Sequence, residues 1–467
     1  MQGTTLVIGI LGSILVLLLR PTRAFVVYIA VLLFYPTYLV VSVGTIDISA
    51  SRIVIAVLLL KFLADDNLRS RFKWCRLDGW VAFYMAIGIV VMCITRPSFA
   101  ALENRAGFLM DTWFVYLAAR ICINDRDSLI NVVKWVGVLL VPLALLSVLE
   151  CVGGWRPYAT LRQYCPWRTE TTIKAARFGF ERAEGPFGQT IMFGTAFALL
   201  VPCLWSLRHE RGNWRGLAYL LTSVAIIGGM SSMSGGPWNT LIVTIFFLAL
   251  ERRKHWVKPL LVLFAFSCIF VEIASNRPFY HVLISYANPI GGSAWHRAKV
   301  IDCAIETFGE WWFLGYGGKD PGWGPSMGMA VTDVTNEFAI AGVSYGVLGV
   351  IGLCAIFATA LRMLIHSYKQ LDDPVLKSWC WALGATLVAV IITFMGVAFY
   401  GQTRALFYCI LGITGSMPTL STSGPGQPRL RKTVVLSGPN RGKHRDVSDL
   451  TKVFATRAMS SSDTVSR

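Results

Sequence analysis

The sequence contains few charged residues, and acidic residues are especially scarce. Charged residues make up 15% of the 467 positions, with 26 Asp and Glu against 43 Lys and Arg, and the mean hydropathy is +0.57. This composition excludes an ordinary soluble domain, in which about 25% of residues are charged. It also excludes a largely disordered chain, because 55% of the residues are hydrophobic.

Metal and nucleotide motifs are also missing. The eleven cysteines follow no CxxC or Cys/His spacing, and most lie in apolar runs, where Cys acts as a small hydrophobic residue. No P-loop or dinucleotide fingerprint follows a predicted strand. We therefore expect no metal ion and no cofactor. A disulfide between Cys151 and Cys165 is the weaker alternative, and it requires an oxidising compartment.

Long apolar runs are the dominant feature that is present. A membrane-spanning helix needs about 20 mostly apolar residues, and the alternating pattern of barrel strands is not seen. The sequence therefore predicts an all-α, polytopic integral membrane protein with about 12 to 13 transmembrane helices and a large external loop containing short helices. The predicted spans are residues 4–19, 24–43, 52–64, 80–95, 107–121, 129–152, 187–207, 217–231, 236–250, 257–274, 335–361, 379–399 and 402–417.

The basic residues predict the orientation of these spans. Most lie in short loops on one side, which the positive-inside rule makes cytoplasmic, so the net charge of +17 reflects topology and anionic lipid headgroups, not nucleic acid. We expect a transmembrane domain at 1–417, with external loops at 153–186 and 275–334. Residues 418–467 are expected to form a basic, disordered cytoplasmic tail.

The first candidate motif, Glu181 to Phe187, lies directly before an apolar span. It contains Arg182 and Glu184, and a guanidinium at headgroup level can grip phosphate oxygens with two parallel hydrogen bonds. The alternative is an interfacial arginine that anchors the helix. A second motif, Ser231 to Trp238, contains Ser234 in a turn of small residues that lets backbone approach a ligand or simply forms a tight hairpin.

The large loop supplies the other candidates. Residues 295–305 predict an amphipathic helix at the membrane surface, with His296, Arg297 and Lys299 on the side where the positive-inside rule does not require cations. A glycine-rich turn at 313–320 follows, and then Asp333, Asn336 and Glu337 begin the next span. A carboxylate there is either a general base or a helix cap, and the cap is the favoured interpretation of Asp333.

Taken in chain order, these segments resemble the O-antigen ligase and polymerase superfamily, most closely its exopolysaccharide-polymerase-like members. The matching segments are Arg182 to Phe187, Ser234 to Pro237, Arg297 in the large loop, Phe313 to Gly317, Asn336 to Phe338 and Tyr345 to Gly349. The similarity covers residues 175–352 and extends to the rest of the chain only as a hydropathy profile.

The resemblance implies metal-independent glycosyl transfer on the external face of a bacterial inner membrane. The donor in this family is a glycan on undecaprenyl pyrophosphate, and the acceptor is a sugar hydroxyl on another lipid-linked unit or on a lipid A core. Arg182 and Arg297 match the pyrophosphate-binding arginines, with Glu184, Ser234, Lys299 and Asn336 as further substrate contacts. Membrane lipids, a flippase and chain-length or export proteins are the partners that it implies.

Two departures from the family pattern limit this assignment. Ligases carry a His where this chain has Thr335, and an Arg where it has Gly235, which favours a polymerase over a ligase. The general base is then unassigned, and Asp333 is preferred over Glu337 and His296. The other hypotheses are a transporter or flippase for lipid-linked glycans, a metal-dependent glycosyltransferase of another membrane fold, and a scaffold.

Overall fold

The computed structural model describes residues 1–167, 175–210, 212, 214–286 and 294–422, and it confirms an all-α polytopic membrane protein. The predicted tail, apart from its first residues, lies outside this described part. Within that part, the strands are β1 (Val40–Val43) and β2 (Ile46–Ser49), which pair antiparallel as a hairpin. Cys151 and Cys165 are both free thiols, so the disulfide alternative was wrong.

Helices occupy most of the described chain. The α-helices are α1 (Gln2–Leu18), α2 (Pro21–Phe34), α3 (Ala50–Ala64), α4 (Asp66–Arg69), α5 (Arg76–Thr95), α6 (Phe99–Asp111), α7 (Trp113–Cys122), α8 (Arg126–Gly153), α9 (Thr190–Ser206), α10 (Trp214–Met230), α11 (Gly235–Ala249), α12 (Val257–Ala274), α13 (Phe279–Tyr286), α14 (Ala294–Glu306), α15 (Phe308–Trp311), α16 (Glu337–Gln370), α17 (Pro374–Phe394) and α18 (Gly401–Thr422). The 3₁₀ helices are Pro157–Tyr164, Gly185–Phe187, Leu207–His209, Leu250–Trp256 and Pro325–Met327.

Six helical segments of the described chain are long and apolar enough to cross a bilayer. One of them, Gly235–Ala274, joins α11 to α12 across a kink at Arg253. Three shorter apolar helices, α1, α2 and α10, accompany them. The predicted span at 107–121 is broken between α6 and α7, where Thr112 leaves helical geometry. The predicted loop at 275–334 contains the short helices α13, α14 and α15.

The centre of the helix bundle is α9. It packs against α8, α10, α11, α17 and α18, and 89% of an 18-residue apolar stretch within Thr190–His209 is buried. An apolar helix that is covered on all sides can only be an interior one. In contrast, α12 buries none of its residues, as expected for a helix that faces lipid.

Charged and polar side chains make contacts at both ends of the helix bundle. At one end, Arg126 donates to Glu210 at 2.6 Å and to Asp373 at 3.1 Å, which joins the start of α8 to the ends of α9 and α16. At the other end, which we name the loop side, Arg182 and Pro186 contact the starts of α9, α11 and α18, and Asn336 at the start of α16 contacts the Met395 carbonyl. Both ends contain ion pairs, and the loop side also holds the candidate residues.

The large loop is bonded directly into α16. Gly346 interrupts that helix with φ 70° and ψ −170°, so the bond from the Val347 N–H to the Val343 carbonyl of a regular helix cannot form. The loop replaces it: Val347 N–H donates to the Trp312 carbonyl at 2.7 Å, and Tyr316 N–H donates to the Val343 carbonyl at 2.5 Å. The glycine-rich turn and the kink are thus two halves of one contact.

Candidate functional site

Arg182 lies buried at the loop side, with 7% of its surface exposed. Its Nη2 donates to the Ser234 hydroxyl at 2.6 Å and to the Thr190 hydroxyl at 2.9 Å. A buried carboxylate fixes the turn behind it, since Glu150 accepts the backbone N–H groups of Glu184 at 2.8 Å and Gly185 at 2.9 Å. The turn therefore holds the guanidinium against the starts of α9 and α11.

Neighbouring carboxylates do not neutralise Arg182. Glu181 accepts from Arg156 at 2.6 Å, and Glu184 is paired with the buried Arg162. Among the described residues, Arg182 itself forms no ion pair, and its buried Nε has no hydrogen-bond acceptor. Burying an uncompensated charge is costly. The pKa of Arg182 accordingly falls to about 10, because of burial first and then the nearby cations Arg177 and Arg156.

Arg297 is a second cation that forms no ion pair with a carboxylate of the described residues. It projects from α14 and packs against Gly396, where a Cβ would lie 3.0 Å from its Cδ, and its buried Nε also lacks an acceptor among the described residues. Burial and then Arg177 lower its pKa. Because the positive charge of Arg177 lowers the pKa of both Arg182 and Arg297, we group these three residues as the arginine cluster.

A cavity of about 500 Å³ opens beside Arg297, and we name it the arginine cavity; Arg177 and Arg182 do not line it. Its lining includes Arg297, His296, Asp333 and Thr335. His296 Nε2 lies 2.9 Å from the backbone carbonyl of Asp333. Because a carbonyl oxygen only accepts, Nε2 carries a proton, and Nδ1 of the neutral ring is then an acceptor. Two potential proton acceptors thus line the same cavity as Arg297.

The structure brings some predicted site residues together and separates others. Ser234 contacts Arg182, and His296, Asp333 and Arg297 share the arginine cavity. Glu184 is occupied by Arg162, and Lys299 lies 3.9 Å from Glu306. Neither residue lines the arginine cavity.

The start of α16 corrects one interpretation. The N-cap is Asn336, whose side chain accepts from Ala339 N–H at 3.0 Å and donates to the Met395 carbonyl at 3.1 Å. Asp333 lies three residues before this N-cap and therefore does not cap α16. Glu337 is buried and accepts from Phe399 N–H at 2.9 Å, so it does not line the arginine cavity.

Sequence reasoning missed three features of this site. Arg177 was not singled out, although it is a further cation in the same predicted external loop as Arg182. Glu150 lies near the end of the predicted span 129–152, and no role in the site was predicted for it. The wall formed by Gln189, Met192 and Tyr400 combines α9 with the segment before α18, and no local pattern reports such a distant contact. No group of three His, Cys, Asp or Glu converges as a metal site within the described ranges.

The fold and this site define a multi-pass helical membrane protein in which Arg182 is buried and Arg297 is half-buried at the edge of a cavity. No protein-family model matches the chain, and no curated protein matches it significantly. The chemistry of the site is therefore the basis for a functional proposal.

Proposed function

We propose that the protein is a membrane glycan polymerase. It joins undecaprenyl-pyrophosphate-linked oligosaccharide units into an exopolysaccharide or O-antigen chain by metal-independent glycosyl transfer on the external face of a bacterial inner membrane. One observation carries the proposal: Arg182 and Arg297 are held at the loop side without carboxylate partners among the described residues, whereas Arg126 at the opposite end is paired twice.

The chemistry of transfer explains why such arginines are useful. The acceptor hydroxyl oxygen forms a bond to the anomeric carbon of the donor, and the bond from that carbon to the pyrophosphate oxygen breaks. The lipid pyrophosphate leaves with the bonding electron pair, so its negative charge grows in the transition state. Guanidinium groups positioned beforehand in a site shielded from water stabilise that charge. The uncompensated charge of the arginine cluster suits an anionic ligand.

The acceptor hydroxyl must also lose its proton. Asp333 and His296 both line the arginine cavity, and either the Asp333 carboxylate or Nδ1 of neutral His296 can receive the proton. Asp333 remains the preferred base because its side chain is exposed beside the cavity. Glu337 is a weaker candidate, since its carboxylate is buried against Phe399 N–H.

The test compares polymer formation in a host strain that lacks the protein with the same strain carrying variants. Arg182→Ala and Arg297→Ala are expected to abolish polymer while the protein still inserts into the membrane. Arg252→Ala is the matched control, because Arg252 is exposed and distant from the arginine cavity. Normal polymer from both cluster variants would contradict the role in phosphate binding.

The lipid-linked glycans of the deletion strain separate the remaining alternatives. Single repeat units that accumulate on the external face, with polymer lost, are the expected result for a polymerase. Complete polymer that is not transferred to lipid A core would indicate a ligase. Units retained on the cytoplasmic face would indicate a flippase.

A further inference from the structure

A second cavity, which we name the neighbouring cavity, lies directly beside the arginine cavity. Its volume is about 420 Å³, within the range of about 300–1,000 Å³ typical of small-ligand sites. Gln189, Met192 and Tyr400 line both cavities. The two cavities therefore share a wall.

Two of the three arginines that line the neighbouring cavity are paired with carboxylates, unlike Arg182 and Arg297. Arg52 contacts both carboxylate oxygens of Asp111, at 2.7 and 3.1 Å, and Arg162 is paired with Glu184. Two hydrogen bonds between a guanidinium and a carboxylate satisfy both groups. These pairs leave planar polar edges for hydrogen bonding without a local excess of positive charge.

The third cation of the neighbouring cavity, Arg404, is also tied to protein groups. Its Nε donates to the Phe399 carbonyl at 2.8 Å, and its guanidinium lies 5.1 Å from the Phe108 ring centre. It also borders a small buried cavity with the Glu337 carboxylate. The charges of the neighbouring cavity are therefore more fully engaged by protein groups than those of Arg182 and Arg297, which favours the arginine cluster as the site of a free anion such as pyrophosphate.

Aromatic rings and neutral polar groups complete the lining. Tyr38, Trp167 and Phe187 supply rings, and Thr37 and Gln402 supply a hydroxyl and an amide. A sugar ring presents C–H groups on its faces and hydroxyls around its edge. Aromatic faces suit the first, because they bury large apolar area, and planar polar side chains suit the second.

We propose that the neighbouring cavity binds a sugar of the acceptor glycan and delivers its hydroxyl to the arginine cavity. This inference rests on the proposed function, since it assigns the pyrophosphate of the donor to the arginine cluster and the neutral sugar to the neighbouring cavity. The two sites then meet at the wall of Gln189, Met192 and Tyr400, where the donor and the acceptor react.

Trp167 offers the cleanest perturbation of the neighbouring cavity. It lines the cavity but is 61% exposed, so Trp167→Ala does not disturb the core. Trp155 is the matched control, because it belongs to the same predicted loop, is 59% exposed and does not line the cavity. Trp167→Phe retains a ring and is expected to restore binding.

The probe is a set of oligosaccharide fragments released by mild acid from the extracellular polysaccharide of the host. Their binding to the purified full-length protein is measured by titration calorimetry. Trp167→Ala is expected to weaken fragment binding roughly tenfold, the loss that follows from removing one stacked ring. Trp155→Ala is expected to bind the fragments like the wild type. Equal binding by Trp167→Ala and wild type, or no fragment binding by the wild type, would overturn the assignment.

A parallel titration with inorganic pyrophosphate separates this inference from the function on which it rests. The wild type and Trp167→Ala are expected to bind pyrophosphate equally, whereas Arg182→Met does not bind it. If the wild type fails to bind pyrophosphate but binds the fragments through Trp167, the anion role of the cluster is wrong and the sugar site stands. If pyrophosphate binds normally and the fragments do not, the sugar assignment alone fails.

Discussion

Replacing Arg182 with methionine is expected to remove anion binding without destabilising the protein. The reason lies in the charge of the folded state. Burial lowers the pKa of Arg182 to about 10, from 12.5 for a free guanidinium, so keeping the charged form in the folded state carries a free-energy cost. Because the folded pKa is lowered, this cost applies in full wherever both states are charged, which includes pH 7, and it is relieved as the pH rises through about 10.

Arg182→Met removes this cost but also removes two hydrogen bonds from the guanidinium. Hydrogen bonds to charged groups contribute about 1.5–3 kcal/mol each, although the Thr190 and Ser234 hydroxyls, 3.1 Å apart, still bond to each other. We expect these effects to offset, so that Tm changes by only about 1–2 °C. Arg162→Met is the matched comparison, because it leaves Glu184 buried without its cation, which costs about 3–5 kcal/mol.

The assay is thermal unfolding of purified full-length protein at one fixed scan rate, with and without inorganic pyrophosphate. A ligand at 100 times its Kd stabilises the folded state by about 2.7 kcal/mol, so pyrophosphate is expected to raise the Tm of the wild type and of Arg162→Met. Arg182→Met is expected to show no such rise. If Arg182→Met unfolds as early as Arg162→Met, or is still stabilised by pyrophosphate, Arg182 is a structural residue and the reasoning is refuted.

Three further predictions concern the supports of the site and its base. Gly346→Ala would place a Cβ 2.1 Å from a loop carbonyl at a positive φ, so limited proteolysis of the large loop is expected to accelerate severalfold. Gly384→Ala is the control, because a Cβ at Gly384 meets open space. Equal proteolysis rates in the two variants would contradict the contact between the loop and α16. Glu150→Ala leaves two buried backbone N–H groups without an acceptor and is expected to weaken pyrophosphate binding roughly tenfold. Glu150→Gln keeps an acceptor oxygen and is expected to retain pyrophosphate binding. Loss of binding in both variants would indicate that the charge of Glu150 matters. Asp333→Asn is expected to lower polymer turnover by about 10²–10⁴-fold while donor binding, measured separately, stays constant, and a wild-type rate would exclude Asp333 as the base.

The helical fold was largely predictable from the sequence because its signal is local. Apolar runs of about 20 residues identify spans wherever they occur, and α8, α9, α11 and α12 follow the predicted ones closely. The breaks in helices were less visible. Thr112 ends α6 and Gly346 kinks α16, and in both places neighbouring segments, not the composition of the helix, decide the geometry.

The candidate site was predictable only in part. Arg297 stood out because the positive-inside rule does not require cations on the predicted external side, and Arg182 stood out because a guanidinium at headgroup level can grip phosphate oxygens. The pairing of Glu184 with Arg162 could not be foreseen, because it joins a turn to a 3₁₀ helix about 20 residues earlier. The N-cap was misassigned to Asp333 because Asp and Asn are both good caps, and only the backbone shows that α16 begins after Asn336.

The contact between the large loop and α16 has a consequence for biogenesis. Within a bilayer, each backbone group without a partner costs several kcal/mol, and α16 lacks its own bond between Val343 and Val347. The span therefore completes its hydrogen bonding only when residues 312–316 are in place. These residues precede α16 in the chain and are synthesised before it, so the loop is available when the helix enters the membrane. Docking of the large loop and completion of the hydrogen bonding of this span are thereby the same folding step.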